Sequence, residues 1–160
     1  MKFEISSCFP YNINDVLQGL LLLRKEQAEP RVQYTKRKHQ SDHIVHELHY
    51  TTHILLVPFV GKEIVMREDM MLDKDKFVVQ TYGENYLQKK SPYMYTNVVY
   101  AARGKESTDC TLVVEWQIST GNLGHMIESK LTNFGRQQHA EIQKRELNYI
   151  QKYVETKKGK

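Results

Sequence analysis

The stretch from Asn122 to Val154 constrains this chain more than any other. Leu123, Ile127, Leu131, Phe134, Gln138, Ile142, Tyr149 and Tyr153 recur at steps of three, four and seven, which draws one stripe down a 3.6-residue helix. Ser129, Asn133, Arg136, Gln137, Ala140 and Lys144 fall on the opposite side, and no proline interrupts the run. At ~1.5 Å per residue the helix is about 50 Å long, too long to be buried inside a 160-residue chain. It must lie across something. Gln138 sets an amide in mid-stripe, where burial demands a partner. Gly135 costs about 1 kcal/mol against Ala in a helix interior, which marks a bend or a close backbone approach.

The preceding chain supplies the surface. Lys2 to Phe9 reads as a first strand, and Asn12 stands three residues before Asp15, a weak relative of the capping box. Val16, Leu17, Leu20, Leu21 and Leu23 make a short amphipathic helix ending near Pro30, and Arg31 to Lys38 reads as a strand. From Asp42 to Val57 the even positions Ile44, His46, Leu48, Tyr50, Ile54 and Leu56 alternate with His43, Glu47, His49 and His53, the pattern of a half-buried strand. Pro58, Phe59, Val60 and Gly61 form an apolar loop tip, which is costly to expose without a partner. Lys62 to Leu72 turns Ile64, Met66, Met70 and Leu72 one way, with Glu68 on that face, displaced by a bulge or aimed inward. Phe77–Tyr86, Tyr93–Arg103 and Cys110–Ser119 complete the strands, and in the last Cys110, Leu112, Val114, Trp116 and Ile118 share a face.

The expected class is α+β: a curved antiparallel sheet of about six to seven strands wrapped around a long carboxy-terminal helix, the helix-grip arrangement. One domain covers 1–156, with a basic tail at 157–160. Hydrophobic residues at 40% and charged residues at 26% fit a globular domain, and no apolar run reaches spanning length. The amino end has neither the pattern of a secretory signal nor that of a transit peptide. Cys8 and Cys110 give no disulfide framework and no metal knuckle. The net charge of +4 is dispersed, which argues against a nucleic-acid footprint. Five of the seven histidines fall between 39 and 53. On a strand, His43, His49 and His53 lie about 13–20 Å apart, beyond the reach of one ion. No metal or cofactor is expected.

Order and spacing then suggest a family. Phe9-Pro10 followed by the first helix, Arg67-Glu68-Asp69-Met70-Met71-Leu72-Asp73, Thr81-Tyr82, Asn85, Tyr95, Tyr100, Thr111-Leu112-Val113-Val114-Glu115 and Ser129-Lys130-Leu131 together resemble the START-like lipid-binding superfamily. Within it they are most similar to the PRELI domains. Two places depart from the PRELI pattern: Lys25 to Pro30 replaces Tyr-Pro-Asn-Pro, and the segment around Phe59 is too short for the lid helix. A rival resemblance is to VASt-type sterol-transfer domains, through Tyr50-Thr51, Pro58, Gly61-Lys62 and Pro92-Tyr93.

The PRELI resemblance implies a carrier of one phospholipid, phosphatidic acid or phosphatidylserine, between mitochondrial membranes in the intermembrane space. It implies transient contact with a membrane surface and a small disulfide-bonded helical-hairpin chaperone as partner. The alternative compartment is the cytoplasm at membrane contact sites. Acyl chains in water cost about 0.8 kcal/mol per CH₂, so a carrier needs an apolar chamber. Its lining would come from Met66, Glu68, Met70, Tyr82, Tyr100, Val114, Trp116, Leu131, Phe134 and Gln138. Arg24, Lys130 and Arg136 would meet an anionic headgroup, Lys130 first, and the 58–61 tip would touch the membrane. Two other classes stay open. A helix-grip enzyme of the cyclase or hydrolase type would use Glu68 beside Tyr82 or Tyr100 as acid or base, although no nucleophile spacing or phosphate loop supports catalysis. An interaction protein would fill the space with Trp116, Phe134 and the methionines.

Overall fold

A computed structural model describes residues 2–29, 32–53, 61–117 and 124–160. The chain runs β1 (Lys2–Phe9), α1 (Ile13–Glu26), β2 (Val32–His39), β3 (His43–His53), β4 (Gly61–Leu72), β5 (Lys76–Gly83), α2 (Glu84–Leu87), β6 (Tyr93–Arg103), β7 (Ser107–Gln117) and α3 (Gly124–Lys158). Every strand pairing is antiparallel, in the order β1-β7-β6-β5-β4-β3-β2. The curved seven-stranded sheet and long final helix are the α+β helix-grip arrangement the alternation called for. Some boundaries move: the strand expected to reach Tyr86 ends at Gly83, with a single helical turn after it, α1 ends at Glu26, and β7 begins at Ser107 rather than Cys110.

α1 is specified locally. The Asn12 side chain accepts from the Asp15 backbone N–H at 2.9 Å, capping the first turn, and its amide nitrogen donates to the Asp15 carboxylate at 2.8 Å. Val16, Gly19, Leu20, Leu23 and Arg24 lie on its buried face. Gly19 is required there, because a Cβ would stand 2.5 Å from the Ile150 Cα and 2.9 Å from its N. Backbone-to-backbone approach of this kind tolerates no side chain, and it locks the carboxy-terminal half of α3 onto α1.

α3 traverses the inner side of the sheet. Gly135 and His139 face Phe3 of β1, Gln143 reaches Cys110 of β7, Glu146 meets Tyr100 of β6, and Ile150 closes on α1. Its inward face therefore falls about one residue beyond the stripe read from the sequence. Phe134 is 42% exposed and Gln138 is exposed, so neither lines the interior. The reason lies at Gly135, where the helix comes close enough to Phe3 for a Cβ to sit 3.3 Å from its ring. That contact turns the neighbouring Phe134 outward. Leu123 lies outside the described residues, as do the side chains of Ile127 and Leu131. α3 continues through Lys158, and Lys157 donates to Asp15 at 3.1 Å.

Among the described residues, most buried apolar side chains fall into three clusters. The largest holds Phe9, Val16, Leu20, Ile44, Met70, Phe77, Val79, Tyr100, Cys110 and Ile150. The second holds Phe3, Leu112, Val114 and Trp116, and the third Val32, Leu48 and Met66.

Candidate functional site

Helix spacing carries a cation inward. Arg24 lies four residues after Leu20, so the face that buries the leucine also buries the guanidinium. A buried charge must be matched, and Glu68 of β4 matches it. Arg24 Nε donates to Glu68 Oε1 at 2.6 Å and Nη2 to Oε2 at 2.7 Å, the two-pronged geometry that suits guanidinium and carboxylate. Nη1 donates to the Leu20 carbonyl at 3.1 Å. His46, the β3 residue opposite Glu68 in the register, places Nδ1 2.9 Å from Glu68 Oε1. Because an ionised carboxylate only accepts, Nδ1 carries the proton. The Tyr34 ring stands edge-on to His46 at 5.6 Å and 5.8 Å from the Arg24 guanidinium carbon.

A second buried carboxyl behaves in the opposite way. Burial would push Glu68 up, but Arg24 and His46 outweigh it and hold the group at about 2. Glu146 of α3 has no such partner. Burial pushes it up to about 7. Arg24 offsets only part of that, and the nearby Glu29 and Glu68 add to it. Its contact is with the Tyr100 hydroxyl, which donates at 3.3 and 3.5 Å. Burial also raises Glu29, which Arg24 and Arg145 moderate.

These groups stand at one end of a row across the inner face. In the register His46 pairs with Glu68, Glu68 with Thr81, Thr81 with Thr96, Thr96 with Val114 and Val114 with Phe3. His46, Glu68, Thr81 and Thr96 are all buried. Arg37 lies opposite His46 at the exposed sheet edge. At the other end the His139 ring stands 6.1 Å from Phe3, and burial lowers its pKa. On one side of the row lie Met70, Val79 and Leu112; on the other lie Met66 and Trp116. The row's polar end, from His46 to Thr96, lies between the Met70–Val79 side and Met66, whereas the Phe3–Leu112–Val114–Trp116 cluster spans its apolar end.

The candidates read from the sequence scatter around this row, and their placement is uneven. Met66, Glu68, Met70, Tyr100, Val114 and Trp116 are buried on the inner face. Glu68 sits there without a bulge in β4. Tyr82 does not join them: it lies on the opposite face, where its hydroxyl donates to Asp69 at 2.7 Å and Arg67 binds the same carboxylate at 2.6 Å. Arg24, expected near a headgroup, is instead 8% exposed and occupied by Glu68. Lys130 is exposed on α3. Arg136 is exposed too, with its guanidinium 5.0 Å from the Phe3 ring. The three cations therefore form no common site. Pro58, Phe59 and Val60 lie outside the described residues, and Gly61 opens β4. His46, Tyr34, Thr81, Thr96 and Glu146 enter the site without having been singled out. The spacing from Ile142 and Ile150 would have located Glu146, and alternation from Phe77 would have located Thr81.

No protein-family model matches the chain, and no curated protein matches it by sequence. Solved structures do match. The Zhui aromatase/cyclase from Streptomyces sp. R1128 superposes with a TM-score of 0.64 at 12% identity, over 96% of this chain and 95% of that one. Human STARD10 gives 0.64 at 14% identity, over 99% of this chain and 66% of that one. TTHA0849 from Thermus thermophilus gives 0.60 at 9% identity, over 94% of this chain and 97% of that one. The chain has the helix-grip fold. Identities this low carry the fold and leave the activity to be argued from the residues.

Proposed function

We propose that this chain is a non-catalytic carrier that holds one lipid-like molecule between the sheet and α3. The observation that supports it is an apolar inner face interrupted by a buried polar row, His46, Glu68, Thr81 and Thr96. A core packed only for stability gains most by merging its apolar side chains. Apolar walls with a few placed polar groups are the usual make-up of a small-molecule site. The chain's likeness in fold to STARD10 and to an aromatase/cyclase agrees with a ligand of substantial apolar area. The narrower reading, an anionic phospholipid carried between mitochondrial membranes with a helical-hairpin partner, rests on the PRELI resemblance. The geometry favours it less, since Arg24 is occupied and Lys130 and Arg136 are exposed on α3.

Catalysis is the second reading, favoured by Glu146 near 7 beside Tyr100. That carboxyl could exchange a proton at neutral pH. It is nevertheless sealed among Tyr100, Cys110 and Ile150 in the largest cluster, away from the Thr81–Thr96 pair. The test is mass spectrometry of extracts from the natively folded protein, paired with displacement of an environment-sensitive dye. The carrier reading expects an apolar ligand at about one per chain, unaltered on prolonged incubation. Absence of ligand together with failure to bind the dye would refute it; turnover of the bound molecule would favour the enzyme.

A further inference from the structure

The Thr81 and Thr96 side chains form an adjacent polar pair on the inner face. Both residues are more than nine-tenths buried, at 9% and 8% exposure, and they face each other across β5 and β6. A buried hydroxyl ordinarily finds a partner. Thr108, which is fully buried, donates to the Tyr11 carbonyl at 2.8 Å. Among the described residues, neither Thr81 nor Thr96 has such a partner. Among the described residues the fully buried side-chain atoms without a partner are Ser7 Oγ and His43 Nε2; the two threonine oxygens are not among them, so the pair keeps a small accessible polar surface with no protein partner, open to an incoming ligand oxygen.

The charge around them restricts what that ligand is. Arg24 is the one buried Lys or Arg among the described residues. Its Nε and Nη2 are held by Glu68 and its Nη1 by the Leu20 carbonyl. Its field is shared by the carboxyl groups of Glu68, Glu146 and Glu29, with Arg145 of α3 answering only Glu29. An anion moving toward Thr81 would meet the ionised Glu68 one strand away, with no free cation to offset it. A cation would gain only a carboxylate already paired. An uncharged oxygen avoids that repulsion: a hydroxyl can accept from one threonine and donate to the other, and a carbonyl can accept from both.

From this geometry we infer that the Thr81–Thr96 pair is the polar subsite for an uncharged, oxygen-bearing end group, a hydroxyl or carbonyl, on an otherwise apolar molecule. The inference rests on the carrier reading and names its ligand class. The apolar body would lie along Met66 and Trp116 on one side or Met70, Val79 and Leu112 on the other. His139 closes the far end of the row against Phe3, where burial disfavours its charged form, and the Arg136 guanidinium, 5.0 Å from the Phe3 ring, is exposed on α3.

The test uses the full chain and three probes of equal length: hexadecanol, hexadecanoate and hexadecane, each displacing a bound apolar dye. The wild type is expected to bind hexadecanol several-fold more tightly than either of the others. Thr81→Val and Thr96→Val keep the shape and remove the hydroxyl. Each is expected to weaken hexadecanol about three- to tenfold and to leave hexadecane unchanged, while Thr→Ser at either position retains the preference. A purely structural role for the threonines would move all three probes together. If a valine variant fails to fold, the wild-type ranking and the serine variants still decide. Hexadecanoate binding as well as hexadecanol would overturn the uncharged class, and valine variants that keep the hexadecanol preference would overturn the subsite. Binding of none of the probes or the dye would instead refute the carrier reading itself.

Discussion

Replacing Arg24 with methionine removes the buried cation while keeping an unbranched apolar stem. Glu68, 4% exposed, is then left with His46 as its described partner. Removing one member of a buried ion pair costs about 3–5 kcal/mol, because the other charge stays buried uncompensated. Linkage gives a second figure. Glu68 is held at about 2 against an ordinary 4.5, a gap of about 2.5 pH units, or ~3 kcal/mol at ~1.36 kcal/mol per unit. The two agree in order of magnitude. A carboxylate whose folded pKa is depressed stabilises the fold above its unfolded value, and that contribution is lost as pH falls from 4.5 toward 2. In R24M the burial of Glu68 prevails, its pKa rises above the unfolded value, and acidification from neutral pH should stabilise the variant relative to the wild type. The assay is urea unfolding at pH 7 and pH 5 for wild type, R24M, E68Q and the double variant. We expect R24M to lose about 3–5 kcal/mol at pH 7, a fall in Tm of about 6–20 °C. The double variant should recover most of that, since no charge is left unpaired. A loss under about 1 kcal/mol, or an R24M stability that falls on acidification as the wild type's does, would refute the reasoning.

Three further outcomes follow from the same contacts. Glu146, pushed up to about 7 by burial, contributes stability that is fully present below 4.5 and lost as pH rises through 7; Glu146→Gln should therefore gain ~3 kcal/mol on the wild type between pH 4 and pH 8, and equal pH profiles in chemical denaturation would contradict this. Gly19→Ala drives a Cβ into the Ile150 backbone and should cost about 2–3 kcal/mol through forced separation of α1 and α3, read as a lowered Tm; an unchanged Tm would show that the helices are not held at that distance. Burial pushes the Cys110 thiol up to about 12, whereas Cys8 is exposed, so a disulfide reagent at pH 8 should label Cys8 rapidly and leave Cys110 to react only as the domain opens; fast labelling that persists in Cys8→Ser would reverse the assignment.

Much of the architecture was legible because it is locally encoded. The alternation from Ile44 to Leu48 and from Cys110 to Trp116 sets which side chains are buried, and the structure buries those residues. Asn12 and Asp15 mark the start of α1 through a cap that needs only neighbouring atoms. The length of α3 followed from an unbroken period, and its need to lie across the sheet followed from its length. Parity with Phe77 and Val79 already sets Thr81 inward and Tyr82 outward on β5.

What only the tertiary structure decided were the pairings between distant elements. A helical stripe is about 100° wide or more, so the sequence leaves its centre uncertain by a residue. The close approach of Gly135 to Phe3 chose the face, exposing Phe134 and Gln138 and burying Glu146. Arg24 and Glu68 are 44 residues apart, and nothing local distinguishes a buried arginine from the solvated majority. Their meeting depends on where α1 docks, which Gly19 and Ile150 determine. The unpaired Thr81 and Thr96 are further still from sequence logic, because the absence of a partner is a property of the space around a hydroxyl. Those surroundings are set only once β4, β5 and β6 pair.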